Sequence, residues 1–148
     1  MAQIISNSDV EHCLRACLET EGYKLTAIRK NGETGVDLIA KKENEEYYIE
    51  VIGFKQSPPA RSKDFYEIFF RAISRLKDGA KNIVIALPER FGKGLHQRAS
   101  QYGEAWKRIG KTFPELEIWL INSTEPYSYK RTSWNNWLPQ QKNQPDWR

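Results

Sequence analysis

The chain of 148 residues lacks most of the motifs that identify common enzyme classes. It contains no glycine-rich phosphate loop, no CxxC pair and no Ser-His-Asp set, so nothing in it predicts a familiar hydrolase or redox protein. No long apolar run is present at the N-terminus or elsewhere, and we therefore expect neither a signal peptide nor a membrane span. The expected location is the cytoplasm.

Cysteine and histidine are also scarce. The two cysteines, Cys13 and Cys17, lie one helical turn apart beside His12, and the only other histidine is His96. A structural zinc site needs four ligands. Because free cysteine packs as a small apolar side chain, the spacing favours the buried face of a helix over a metal site.

Aromatic residues and a small positive charge are what the composition does contain. Five Trp, seven Tyr and six Phe supply bulky core material, and the length suits one domain. Lysine and arginine total 23 against 19 acidic residues, a formal net charge of +4. This charge is compatible with a nucleic-acid partner, although many other proteins are as basic.

The hydrophobic pattern predicts an α/β protein with the element order αβββαβαβ. A turn at Asn31-Gly32 separates the first two strands. Residues 1–121 form a single domain in this prediction. Residues 122–148 form a Trp- and Pro-rich C-terminal arm that packs back on the domain or contacts a partner. The predicted helices are 9–21, 64–77 and 95–109, and the predicted strands are 23–30, 36–40, 47–52, 82–87 and 116–121.

Two acidic residues, Asp37 and Glu50, stand in strands that are otherwise apolar. A carboxylate in such a strand costs free energy unless something pairs with it. If residues 43–46 form the turn between these strands, Asp37 faces Ile52 and lies diagonal to Glu50 on the same face of the sheet. Two carboxylates so placed can share a divalent cation, and an ion pair with a neighbouring arginine or lysine is the alternative.

A basic segment follows the second carboxylate. Residues 53–63 contain Lys55, Arg61 and Lys63 and no acidic residue, and a pair of prolines prevents the segment from continuing a sheet. Arg71 follows on the predicted helix, where it either joins a surface ion-pair ladder or reaches a phosphate. The pattern fits contact with a nucleic-acid backbone, and a solvated charged loop is equally common.

The helix predicted at residues 64–77 has an unusually broad apolar face. So broad a face is typical of a helix that packs on a sheet or is also buried against a second subunit. The surface around Phe65, Phe69 and Phe70, or the Trp-rich arm, is therefore a candidate homodimer contact.

The element order, with Asp37 on the second strand and Glu50 on the third, resembles the restriction endonuclease-like superfamily of PD-(D/E)XK phosphodiesterases, and most of all its small single-domain members. The resemblance covers about residues 9–121 and implies a mixed central β-sheet flanked by helices. It also implies a nuclease acting on DNA or RNA, with Asp37 and Glu50 as catalytic ligands of Mg²⁺ or Mn²⁺. Glu11 matches the first-helix glutamate that many members add to the site.

The chain departs from the family motif at Ile52, which stands where the family has a catalytic lysine. Lys55 replaces it if a bulge returns that side chain to the same face. Alternatively the cation comes from elsewhere, with Lys41, Lys63 and Arg71 as candidates. In the third interpretation cleavage is lost, and the scaffold serves as a nucleic-acid-binding or dimer-assembly module.

Overall fold

A six-stranded mixed β-sheet forms the centre of the fold, with helices on both faces. The computed structural model describes residues 4–29 and 35–139. Within these ranges, no helix is both long and apolar enough to cross a bilayer. The elements are α1 (Asn7–Thr20), β1 (Lys24–Leu25), β2 (Leu38–Lys42), β3 (Glu45–Val51), α2 (Pro58–Ser74), β4 (Ile83–Pro88), α3 (Phe91–Tyr102), α4 (Glu104–Thr112), β5 (Leu116–Asn122) and β6 (Ser128–Ser133), with 3₁₀ helices at Arg75–Asp78 and Trp134–Trp137.

The strands lie in the order β1-β2-β3-β4-β5-β6. The three central strands, β3, β4 and β5, are parallel, and the outer strands pair antiparallel. Every residue of β4 is buried, as expected for a parallel strand that helices cover on both sides. These features confirm the predicted α/β class and the mixed central sheet flanked by helices.

Helix α1 covers one face of the sheet. The Ser6 hydroxyl caps the helix by accepting a hydrogen bond of 3.0 Å from the Asp9 backbone N–H. Cys13 is buried in the core that α1 forms with the sheet, and Cys17 is half-buried. Their packing agrees with the interpretation of the cysteine spacing as a buried helix face.

Helix α2 covers the opposite face and begins earlier than the sequence predicts. Pro58 and Pro59 occupy its first turn, and the Ser57 hydroxyl accepts a hydrogen bond of 3.3 Å from the Ala60 backbone N–H. Proline is favoured there because its missing N–H has no partner within the helix and its φ is already helical. The predicted loop at residues 53–63 is therefore wrong in its second half.

The turn between β2 and β3 fixes the register of the two candidate carboxylates. Lys42 pairs with Glu45, so the turn contains two residues and not the predicted four. Glu43 adopts a φ of 53° in this turn. The shorter turn shifts the pairing by two residues, which keeps each side chain on its predicted face. The prediction that Asp37 faces Ile52 is wrong, and Asp37 lies level with Glu50.

The first strand is shorter than predicted. Beyond β1 the chain still follows β2, because the Thr26 backbone N–H donates to the Ile39 carbonyl at 3.1 Å. The Ile39 N–H in turn donates to the Thr26 hydroxyl at 3.0 Å. The predicted turn at Asn31-Gly32 lies outside the described residues.

The predicted helix at residues 95–109 is two helices, α3 and α4. The break falls at Gly103, whose φ of 47° and ψ of −108° end α3. A residue with a Cβ rarely adopts this conformation, so glycine at this position permits the change of direction.

The C-terminal segment adds a strand that the sequence pattern does not predict. β6 pairs antiparallel with β5, and the 3₁₀ helix after it places Trp134 and Trp137 in the core. Trp134 stacks on Trp106 with ring centroids 3.9 Å apart. Each of these two indoles donates a hydrogen bond of 2.9 Å to the backbone carbonyl of the other.

These tryptophans also explain the broad apolar face of α2. Phe65 is 2% exposed and stacks on Trp106, and Phe69 packs on Trp134 with ring centroids 5.2 Å apart. Phe70 is 68% exposed. Phe65 and Phe69 therefore pack against residues of the same chain. Of the three phenylalanines predicted as a dimer contact, Phe70 alone has a large exposed surface.

Candidate active site

Two carboxylates lie side by side beneath helix α2. Glu50 belongs to β3, and Asp37 directly precedes β2, whose pairing with β3 brings the two residues level. The Val51 backbone N–H donates a hydrogen bond of 2.9 Å to Asp37 Oδ2, which fixes the orientation of that carboxylate. The hairpin therefore holds both acidic groups in one place, as the strand alternation predicts.

Arg71 of α2 bridges the two carboxylates. Its Nη2 atom lies 3.0 Å from Asp37 Oδ2 and 2.8 Å from Glu50 Oε1. Its Nε also donates to Glu50 Oε1, at 3.2 Å. Charge-assisted bonds of this kind are about twice as strong as neutral ones. Arg71 is thus the cation that directly contacts both acidic residues.

Two further arginines complete what we call the carboxylate–arginine cluster, which consists of Asp37, Glu50, Arg29, Arg71 and Arg75. Arg29 forms an ion pair with Asp37 Oδ1, and the Nε of Arg75 lies 3.7 Å from Glu50 Oε2. Three guanidinium groups therefore surround two carboxylates. This arrangement compensates the negative charge in a partly buried site.

Glu50 is the most strongly perturbed group of the cluster. Its side chain is 1% exposed, and burial raises its pKa to about 7, helped by the negative charge of Asp37. Arg71 and Arg75 act in the opposite direction and partly offset this rise in the pKa. Among the described residues, Glu50 Oε2 has no hydrogen-bond partner. The protonation of Glu50 therefore changes close to neutral pH.

The candidate substitutes for the missing lysine differ in their positions. Ile52 is buried in the core beneath α2, with 3% exposure. The Lys55 side chain is 58% exposed, and its Nζ forms an ion pair of 3.1 Å with Asp64, which is not a member of the cluster. Lys41 and Lys63 are exposed. Of the predicted cations, Arg71 is the one that the fold brings to the carboxylates.

Glu11 does not join the carboxylates. It lies on α1, which covers the other face of the sheet, and its carboxylate forms an ion pair of 2.8 Å with Arg15. Arg15 in turn donates to the Thr26 carbonyl at 2.6 Å. Within the described ranges, no group of three or more acidic, histidine or cysteine side chains is placed to hold a metal ion.

The carboxylate pair nevertheless fits a hard divalent cation. Mg²⁺ is commonly held by one or two carboxylates with water completing its coordination. Glu50 Oε2 is free of hydrogen bonds to the described part of the chain and offers a ligand atom. Asp37 and Glu50 are thus suitable ligands.

Arg61 and Lys63 lie on the first turns of α2. The Arg61 guanidinium donates to the carbonyls of Lys55 and Gln56 at 2.7 and 2.8 Å and stacks over Phe54. Arg61 therefore stabilises the loop between β3 and α2, and its contacts with described residues do not extend to the carboxylate–arginine cluster.

From the sequence, Arg75 is predicted only to share the helix face of Arg71, where it joins a surface ion-pair ladder or reaches a phosphate, and Arg29 is not assigned to the site. Arg75 follows Arg71 by one helical turn, and this spacing alone indicates two guanidinium groups on one face. Arg29 carries no comparable signal, because it follows β1 in a segment without regular strand pairing.

The fold and the paired carboxylates define a restriction endonuclease-like protein of the PD-(D/E)XK type. A family model described as "Restriction endonuclease" (Mrr_cat) matches residues 2–104, which include Asp37 and Glu50. The match covers more than half of the chain, and the protein therefore belongs to this restriction endonuclease family. Comparison with curated proteins and with solved structures gave no significant match.

Proposed function

We propose that the protein is a metal-dependent nuclease that cleaves DNA. In this proposal Asp37 and Glu50 hold Mg²⁺ or Mn²⁺, and Arg71 replaces the lysine that Ile52 displaces. One observation carries it: a single nitrogen of Arg71 lies within hydrogen-bonding distance of both carboxylates. The site therefore combines two anionic ligands with a cation, an arrangement suited to metal-assisted phosphodiester hydrolysis.

The residues have separate roles. Asp37 and Glu50 supply ligands, while the Val51 N–H and Arg75 hold the two carboxylates in place. When bound, the metal ion would lower the pKa of a water molecule and stabilise negative charge on the phosphate. Arg71 stays protonated at all accessible pH values, so it acts by stabilising charge and not as a general base.

The nucleic-acid partner is proposed to approach the end of β3 and the start of α2. Lys55 and Lys63 are exposed there, and Arg61 lies between them in the sequence. Each lysine that neutralises a phosphate strengthens binding by releasing a counterion, which makes the affinity depend on salt. Testing RNA beside DNA then identifies the preferred substrate.

Asp37→Asn should abolish cleavage in the presence of Mg²⁺ or Mn²⁺, since it removes a metal ligand while retaining the size of the side chain. The assay incubates parent and variant with single-stranded, double-stranded and branched DNA, each with metal and with EDTA. Glu19→Gln serves as the matched control, because Glu19 is exposed on α1. Cleavage that survives Asp37→Asn, or that proceeds in EDTA, contradicts the proposal.

A second candidate function is a binding module without catalysis. The observation that favours it is the cluster itself: three arginines form ion pairs with the two carboxylates and compensate their charge. Ion-pair networks of this kind also occur at positions without a catalytic role. Parent protein that binds DNA but cleaves none of the substrates with Mg²⁺ or Mn²⁺ supports this function over the first.

A further inference from the structure

Among the described residues, those that line a groove between α2 and α3 include four cationic side chains and no acidic one. Its volume is about 450 Å³, within the range of ligand-binding clefts. The cations are Arg61, Arg90, Lys93 and Arg98. None of the residues that line the groove belongs to the carboxylate–arginine cluster. A groove that is lined by charges of one sign concentrates ligands of the opposite charge, so these cations indicate an anionic ligand.

The groove and the carboxylates share one edge of the sheet. Phe54 and Arg90, which line the groove, follow the carboxyl ends of the parallel strands β3 and β4. Glu50 lies near the carboxyl end of β3, with Asp37 beside it. A polymer that contacts the groove therefore reaches the same edge as the candidate active site.

Two of the guanidinium groups are held in fixed positions. Arg61 stacks 4.4 Å above the Phe54 ring, and Arg98 lies 5.3 Å from the Phe65 ring centroid and donates to the Ser62 hydroxyl at 2.8 Å. Among the described residues, neither forms an ion pair with a carboxylate, and the buried Nε of Arg98 has no hydrogen-bond partner. Both therefore retain charge that a bound anion can neutralise.

Gly94 provides the space that Arg98 occupies. A Cβ at residue 94 would lie 2.7 Å from Arg98 Nη1, closer than such contacts allow. Any larger residue there would displace the guanidinium.

The groove also has an exposed aromatic side chain. Tyr66 is 45% exposed, and its hydroxyl forms a hydrogen bond of 2.9 Å with the hydroxyl of Tyr102, itself 42% exposed. The bond holds the Tyr66 ring in place while leaving much of it accessible. Exposed aromatic rings beside a basic groove are the arrangement by which proteins bind unpaired bases.

We propose that this groove binds a segment of single-stranded nucleic acid, with phosphates on Arg61, Lys93 and Arg98 and a base stacked on Tyr66. A single strand is favoured over a duplex, because the faces of paired bases are already stacked and cannot reach a tyrosine. The proposal rests on the proposed function, because it places this strand beside the cleavage site. Binding in the groove would then select substrates that have an unpaired segment.

The test measures binding alone, by fluorescence anisotropy of a labelled single-stranded oligonucleotide of about 12 nucleotides in EDTA. We expect Tyr66→Ala to weaken binding about tenfold, from the loss of stacking, and Tyr66→Phe to stay within about twofold of the parent. Lys93→Glu should weaken binding about tenfold and reduce its salt dependence. Lys111→Glu, an equal change of charge at an exposed site on α4, should have no such effect.

Two results overturn the proposal. One is equal binding of the parent protein to the oligonucleotide and to an abasic oligonucleotide of the same length. The other is parent-like affinity of Tyr66→Ala. Because the binding assay contains no metal ion, its outcome is independent of cleavage. Binding that depends on Tyr66, in a protein without nuclease activity, supports the single-strand groove and contradicts the proposed nuclease function. Cleavage by a protein whose binding does not depend on Tyr66 supports the nuclease function and contradicts the single-strand groove.

Discussion

Arg71→Ala is expected to lower the rate of Mg²⁺-dependent cleavage by about 10²–10³-fold, the usual loss when one charge-stabilising donor is removed. Arg71 contacts both carboxylates, and no other described cation does so. The measurement is single-turnover cleavage of the substrate that the parent cuts best. Arg71→Lys should cleave faster than Arg71→Ala but more slowly than the parent, because lysine keeps the positive charge and lacks the planar guanidinium that contacts both carboxylates.

Lys55→Ala is the matched control. Lys55 is the cation nearest in sequence to the missing lysine, yet its side chain is 58% exposed and pairs with Asp64. With enzyme in saturating excess over substrate, we expect this variant to cleave at close to the parent rate, because Lys55 is proposed to affect binding and not the chemical step. The reverse pattern, with Lys55→Ala inactive and Arg71→Ala active, would show that the loop rearranges and that Arg71 is structural. Circular dichroism melting of each variant separates loss of activity from loss of fold.

Trp134→Ala should strongly destabilise the protein and lower its free energy of unfolding by about 3–5 kcal/mol. Trp134 is 3% exposed, stacks on Trp106 and exchanges two indole-to-carbonyl hydrogen bonds with it. The substitution creates a cavity and leaves the Trp106 carbonyl without the indole donor. Urea denaturation of parent and variant gives the difference directly.

Phe70→Ala is the control for Trp134→Ala. It also removes an aromatic ring, but from a side chain that is 68% exposed, and it should change the free energy of unfolding by less than about 0.5 kcal/mol. Equal and small losses in the two variants would mean that the C-terminal segment does not contribute to the core. A loss confined to Trp134→Ala agrees with the packing of the 3₁₀ helix.

The shared face of Asp37 and Glu50 could be predicted from the sequence, but their exact register could not. Alternation along two strands fixes the face, and a shift of two residues leaves it unchanged. The register depends on the turn, where Glu43 adopts a φ of 53° in place of the glycine or asparagine usual there. No residue-level signal marked a turn of two residues.

The sequence also could not show which of the candidate cations contacts the carboxylates. Lys55 is closer to Glu50 along the chain than Arg71 is, yet the packing of helix α2 on β3 and β4 brings Arg71 to the site. That packing involves the whole helix. The helical spacing of Arg71 and Arg75 indicated only that they share a face.

The last strand was missed because it carries no apolar pattern. β6 reads Ser-Tyr-Lys-Arg-Thr-Ser and lies at the edge of the sheet, where polar and charged residues are usual. Its Arg131 side chain stacks over Tyr47 and Trp119, with distances of 4.8 and 5.1 Å to the ring centroids. Charged side chains therefore cover aromatic residues here, a role that hydropathy does not reveal.

Calorimetric titration with Mn²⁺ at pH 6 and pH 8 tests the metal site most directly, since it needs neither substrate nor cleavage. The pKa of Glu50 is about 7, so this ligand is mostly ionised at pH 8 and mostly protonated at pH 6. Because the metal ion competes with the proton, we expect about tenfold weaker binding at pH 6. Asp37→Asn should remove binding at both pH values. Absence of Mn²⁺ binding by the parent at pH 8, or unchanged binding by Asp37→Asn, would contradict a metal site formed by these carboxylates.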